Sequence, residues 1–96
     1  MPQYLILAQD GTDSEAQERR LKARPFHLET AKKLKAAGNL ILGGATFDEN
    51  EAMNGSVMVV EFDNEVALHE WLNNDPYVTQ NVWGNVEVKP FKVANI

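Results

Sequence analysis

Few side chains that ordinarily titrate near neutral pH occur in this 96-residue chain, which has two histidines and no cysteine. One histidine stands in Arg24-Pro25-Phe26-His27-Leu28, and the other, His69, reads as a surface residue. An imidazole titrates near neutral pH, so it accepts a proton in one step and returns it in the next. A carboxylate on its other ring nitrogen fixes the tautomer and stabilises the imidazolium. Asp75, in Asn73-Asn74-Asp75-Pro76, is the candidate partner, and the two together would be the chemical centre of a small pocket. Ser56 would hydrogen-bond a substrate or act as nucleophile in a triad-like arrangement, while Arg20 and Arg24 would hold a carboxylate or phenolate.

Each of these residues also has a plainer reading. His27 can be a satisfied core residue, and Asp75 before a proline is a common helix stop. Ser56 precedes a strand, and the arginines can be salt-bridged or snorkelling. Two distant histidines without a cysteine argue against a metal site. Gly43-Gly44 is not followed by a helix, so it reads as a strand-end bulge and not a phosphate cradle. No cofactor is expected.

Length and composition bound the setting. Ninety-six residues, 44% of them hydrophobic, suit one domain over residues 1–96 with a single modest core. The apolar runs are a handful of residues long, too short for a membrane span, and the N-terminus lacks the pattern of a signal peptide. A soluble cytoplasmic protein is the expectation. The net charge of -5 argues against nucleic acid as a partner, because phosphate binding needs clustered Lys and Arg. The basic residues from Arg19 to Lys35 are interleaved with Glu29 and preceded by Glu15 and Glu18, as on a solvated helix face.

The elements that must position the site follow from periodicity and punctuation. Tyr4 to Ala8 is an apolar run ended by Asp10-Gly11, which predicts a strand buried on both faces. Asp13 or Ser14 would cap the long helix that follows, and Gly38 would close it. Pro25 implies either a kink or a short helix followed by a second with Pro25 in its first turn. At about 100° per residue, Arg20, Ala23, Arg24, His27, Ala31 and Leu34 share one stripe. Leu40 to Ala45 and Ser56 to Phe62 read as strands, with Asn54-Gly55 as a turn between them. Asp63 or Asn64 would cap a second helix ending at Leu72, and Asn85 to Phe91 would be the last strand. Between these, Tyr77 to Trp83 reads as a short connection with at most one helical turn.

The order strand, helix, strand, strand, helix, strand suggests a ferredoxin-like α+β sandwich with both helices on one face of an antiparallel sheet. If the first strand runs upward, Asp10, the first turns of the long helix, Gly43-Gly44, Ser56 and Asp75 gather at the top. The loop from Thr46 to Asn54 would hang over the same end as a lid. Every strand carries apolar residues on both faces, so a homodimer packed sheet on sheet is expected to cover the face without helices.

Several short pieces resemble the YciI-like (YCII-related) family over essentially the whole chain. They are Ala8-Gln9-Asp10, Arg20-Leu21, Arg24-Pro25-Phe26-His27-Leu28, Gly55-Ser56, Glu61-Phe62, Asp75-Pro76-Tyr77 and Val88-Lys89-Pro90-Phe91. The resemblance implies a dimeric α/β barrel assembly of the ferredoxin-like fold, similar to muconolactone isomerases. It also implies a His-Asp site on His27 and Asp75, with Ser56 lining the pocket. The chemistry it implies is proton-transfer elimination or isomerisation on small cyclic or aromatic compounds. The alternative is a non-catalytic dimer whose pocket binds a small molecule.

Overall fold

Tyr4 to Ala8 lies inside β1 (Gln3–Asp10) of the computed structural model, which describes residues 1–96. The chain continues through α1 (Ala16–Ala36), β2 (Leu40–Phe47), β3 (Met53–Glu61), α2 (Glu65–Leu72), α3 (Pro76–Thr79) and β4 (Trp83–Phe91). The four strands form one antiparallel sheet in the order β2-β3-β1-β4, with β1 and β3 central. The helices lie on one face, giving the ferredoxin-like α+β sandwich that the element order predicts. Strand alternation divides the side chains between the two faces. Tyr4, Ile6 and Ala8 of β1, with Met58 and Val60 of β3, face the helices and join the core around Leu68 and Leu72. Leu5, Leu7, Val57 and Val59 fall on the opposite face.

Three local expectations are corrected. Of the two readings of Pro25 the restart is overturned, because α1 is one 21-residue element with Pro25 inside it. Pro25 is exposed, as is Leu21, whose carbonyl loses its N–H partner, so water can satisfy the freed acceptor. Second, Asn54-Gly55 is not a turn but lies inside β3. The hairpin turns at residues 48–52, where Asp48 Oδ1 accepts from the N–H groups of Asn50 (2.8 Å) and Ala52 (3.1 Å), and Glu51 adopts φ 63°. Gly55 is required for closeness instead, because a Cβ there would stand 2.5 Å from the Ala8 carbonyl oxygen. Third, neither Asp13 nor Ser14 is the N-cap of α1. Glu15 holds that position without a side-chain cap, although Asp13 Oδ2 accepts from the Glu15 N–H at 3.3 Å.

The other ends follow the residues that punctuate them. Gly38 takes φ 83° after α1, and the Asn39 and Gly38 N–H groups reach the carbonyls of Leu34 and Lys35 at 2.8 and 3.1 Å, a Schellman closure. Asn64 caps α2, its Oδ1 accepting from the Ala67 N–H at 2.9 Å. Asp13 instead receives two 2.7 Å hydrogen bonds from Arg19, which also donates to the Asn81 carbonyl and so ties α1 to the loop before β4. Hydrogen bonding from Arg19 lowers the Asp13 carboxyl from 3.8 to about 2. A carboxyl lowered in the folded state adds stability that is present above its ordinary value and lost as pH falls through the folded one. The clamp should therefore weaken between pH 3.8 and about 2. A carboxyl-detected NMR titration checks this, and an Asp13 midpoint at its ordinary value would contradict it.

Candidate active site

α1 turns Arg20, Ala23 and His27 inward at the spacing of one helical face, and all three are buried. Asp75 comes to His27 from the far end of the chain. It is fully buried, and its Oδ1 lies 2.8 Å from His27 Nδ1. The local sequence explains how the carboxylate is held. Asp75 is the N-cap of α3, Pro76 occupies the first helical position where no N–H is needed, and the Tyr77 N–H donates to Asp75 Oδ1 at 3.0 Å. Asp75 Oδ2 is buried without a hydrogen-bond partner. When Asp75 is a carboxylate it can only accept, so the proton of this contact is then carried by Nδ1, and a neutral ring in that tautomer has its lone pair on Nε2.

Aromatic rings fix the imidazole plane. The Tyr77 ring stacks on it with centroids 3.8 Å apart and planes 8° from parallel. Trp83 stands edge-on to both rings, at 5.8 Å from His27 and 5.5 Å from Tyr77.

A second network adjoins the first. Arg20 Nη1 donates to both oxygens of Asp10, at 2.8 and 2.9 Å, and Nη2 donates to Ser56 Oγ at 3.0 Å. Trp83 Nε1 donates to the same Oγ at 3.1 Å. Ser56 therefore makes no bond to His27, and the triad-like arrangement with Ser56 as nucleophile is not formed. The Arg20 guanidinium also lies over Tyr77, 4.8 Å from the ring centroid, a cation–π contact. Burial pushes the Tyr77 phenol above its ordinary value of 10.0, and the charges of Arg20 and Arg24 partly oppose that rise.

Between α1 and β2 opens a cleft of about 430 Å³, bordered by Arg20, Arg24, His27, Ser56 and Tyr77. Its floor crosses Gly43 and Gly44, where an added Cβ would meet only an ordinary contact at Gly43 and open space at Gly44. Four of the five site residues expected from the sequence border one space, and the fifth, Asp75, stands behind His27. The two arginines differ. Arg20 is buried and committed to Asp10 and Ser56, whereas Arg24 is exposed at the rim and forms no ion pair. No residue of the 46–54 loop borders the cleft, so the lid expectation is not met. Residues 46, 48, 53 and 54 border a separate polar groove beside Gln9 and Asp13.

Two members of the site were missed by sequence reasoning. Asp10 reads as a turn residue in Asp10-Gly11, and Tyr77 as part of a connection. The usable signals were that the strand order sends Asp10 to the same end as Arg20, and that an Asp-Pro helix start fixes the residue two places on.

Residues 2–92 match the model of the YCII-related domain. The chain belongs to the YciI-like, YCII-related family. Protein YciI of Escherichia coli is 39% identical over 95 residues, spanning 93% of this chain and 95% of that protein. Among solved structures, this YCII-related chain is similar to 5-chloro-2-hydroxyhydroquinone dehydrochlorinase (TftG) from Burkholderia phenoliruptrix AC1100 in complex with 2,5-dihydroxybenzoquinone. The TM-score is 0.81 at 24% identity, over 96% of this chain and 95% of that one. A dimeric ferredoxin-like protein of unknown function from Jannaschia sp. CCS1 is similar with a TM-score of 0.59 at 12% identity, over 97% and 100%. At these identities the two likenesses establish the fold of the YCII-related chain. None of its helices is long and apolar enough to cross a membrane.

Proposed function

We propose that the cleft beside His27 is the active site of a cofactor-independent lyase or isomerase that moves a proton on a small cyclic or aromatic compound. The observation that carries this reading is the 2.8 Å contact of His27 Nδ1 with a fully buried Asp75, beside a cleft of about 430 Å³. His27 is the general base and then the general acid through Nε2. Asp75 holds the tautomer and offsets the charge of the imidazolium. Arg24 binds substrate from the rim, and Arg20 acts through Ser56. The cleft volume falls within the range of about 300–1,000 Å³ common for small-molecule sites. TftG, by name a dehydrochlorinase and solved with 2,5-dihydroxybenzoquinone, supports a planar oxygenated ring as occupant.

The test is incubation in D₂O with chlorinated hydroxyhydroquinones, small cyclic ketones and lactones, followed by NMR and chloride release. Protein-dependent entry of deuterium at a ring carbon, or release of chloride, is expected. Binding without exchange or elimination would overturn the catalytic reading and leave a ligand-binding domain.

The same proposal includes a homodimer packed sheet on sheet. Leu5, Leu7 and Val57 are half-buried on the face without helices, and Leu42 and Phe47 of the edge strand β2 are exposed. Such apolar surface favours a covering partner, and the dimeric Jannaschia neighbour supports a second copy in that role. The wild type should sediment as a dimer at micromolar concentration, and Val57→Lys should sediment as a folded monomer. A monomeric wild type at that concentration would remove this part of the proposal.

A further inference from the structure

The Tyr77 side chain is 1% exposed, held by the His27 stack and by Arg20, yet its hydroxyl makes no hydrogen bond within the protein. The hydroxyl oxygen is not among the buried atoms left without a partner, so it keeps the little solvent access that Tyr77 has. A tyrosine O–H in a largely buried setting ordinarily finds a partner, and Tyr77 borders the cleft, so a ligand bound there is positioned to supply it.

Ser56 is incomplete in the same sense. Its oxygen accepts from Arg20 at 3.0 Å and from Trp83 at 3.1 Å, which occupies both lone pairs. Its proton has no acceptor on the protein. Two donors into one hydroxyl, one of them a guanidinium neutralised by Asp10 behind it, polarise that O–H toward donation. Arg24 adds an unpaired cation at the rim. The polar side chains bordering the cleft are Arg20, Arg24, His27, Lys35, Ser56 and Tyr77, and none is a carboxylate. Apart from His27 Nε2, each of them can only donate or has its acceptor capacity already filled, save the phenol oxygen itself.

We propose that Tyr77 is a catalytic hydrogen-bond donor, completing with Ser56 and Arg24 a site for the oxyanion of a phenolate or enolate ligand. This rests on the proton-transfer reading for its chemistry, and supplies the part that His27 cannot. When Nε2 takes a proton from a ring carbon beside a carbonyl, the C–H bonding pair forms the enolate double bond and the carbonyl pair moves onto oxygen. The Tyr77 and Ser56 O–H groups stabilise that oxygen as its charge develops. Elimination follows when the carbonyl re-forms and the adjacent carbon releases its leaving group with the bonding pair. Isomerisation follows when His27 returns the proton to another ring carbon. The phenol remains protonated at neutral pH, since burial raises it.

The probe is 4-nitrophenolate, whose absorbance reports binding, with nitrobenzene as the analogue lacking the oxyanion. Tyr77→Phe keeps the ring that stacks on His27 and removes only the oxygen. Wild type should bind the phenolate at least tenfold more tightly than nitrobenzene. Tyr77→Phe should lose about tenfold in phenolate affinity and leave nitrobenzene affinity unchanged. Equal phenolate binding by both proteins overturns the assignment, as does a wild type that fails to prefer the phenolate. A parallel loss for both ligands would mean packing alone and would also overturn it. If Tyr77→Phe does not fold, 3-fluorotyrosine at position 77 retains the hydroxyl as a stronger donor and should tighten phenolate binding; unchanged binding would then count against the proposal. The readout needs no turnover, so a protein that binds as expected but exchanges nothing would sink the proton-transfer reading and leave the oxyanion site standing.

Discussion

His27→Gln should reduce protein-dependent deuterium exchange by about 10²- to 10⁴-fold, the usual contribution of a positioned general base or acid. Glutamine retains an amide N–H that can reach Asp75 but has no basic nitrogen to face the cleft. The loss should therefore appear in turnover far more than in folding. Asp75→Asn is the companion variant. It keeps an oxygen for the Tyr77 N–H, which now caps α3 at 3.0 Å, but removes the charge that faces His27 across 2.8 Å. Exchange should fall in this variant as well, because the amide oxygen can still accept from Nδ1 but a neutral group no longer offsets an imidazolium. Exchange at the wild-type rate in His27→Gln would end the case for His27 as the base. Thermal melts of both variants separate lost chemistry from lost structure.

Arg20→Ala should cost about 3–5 kcal/mol of folding stability, read as a lower urea midpoint. The Arg20–Asp10 pair is almost dry, with side-chain exposures of 3% and 6%, so removing the cation strands a buried carboxylate. It also removes one of two donors to Ser56 Oγ and the cation over Tyr77. Set against the roughly 5–15 kcal/mol that holds a domain of this size together, the loss is a large share of the total. Combining Arg20→Met with Asp10→Leu should recover most of it, because neither charge is then left without its partner. A loss below about 1 kcal/mol, the scale of a surface pair, would show that the pair is not buried in solution.

The fold was legible because its signals are local and repeat. Strand runs of branched residues and the breaks at Gly38 and Asn64 specify the element order, and few topologies satisfy that order. Boundaries failed where one residue type has two uses. Gly55 follows an asparagine as a hairpin glycine would, but it is small because the Ala8 carbonyl lies 2.5 Å from where its Cβ would be. Pro25 signals a break from its own chemistry, but it lies with Leu21 on the exposed side of α1, where water can satisfy the freed carbonyl. Nothing in either tetrapeptide distinguishes the two cases.

By itself the sequence determined the family, the ferredoxin-like α+β sandwich and the inward stripe of α1 that carries Arg20 and His27. It also brought Asp75 to the same end of the sheet, since strand direction follows from element order. Only the tertiary structure decided how the polar groups divide their hydrogen bonds. Arg20 is consumed by Asp10, while Arg24 stays free at the rim. Ser56 turns its oxygen to Arg20 and Trp83 and away from His27, and Tyr77 keeps an unanswered hydroxyl at the cleft. The physical reason is that periodicity fixes the direction of a side chain to within a helical face or a sheet side. A hydrogen bond is made or lost within about half an ångström, and that distance is set by every element packed around it.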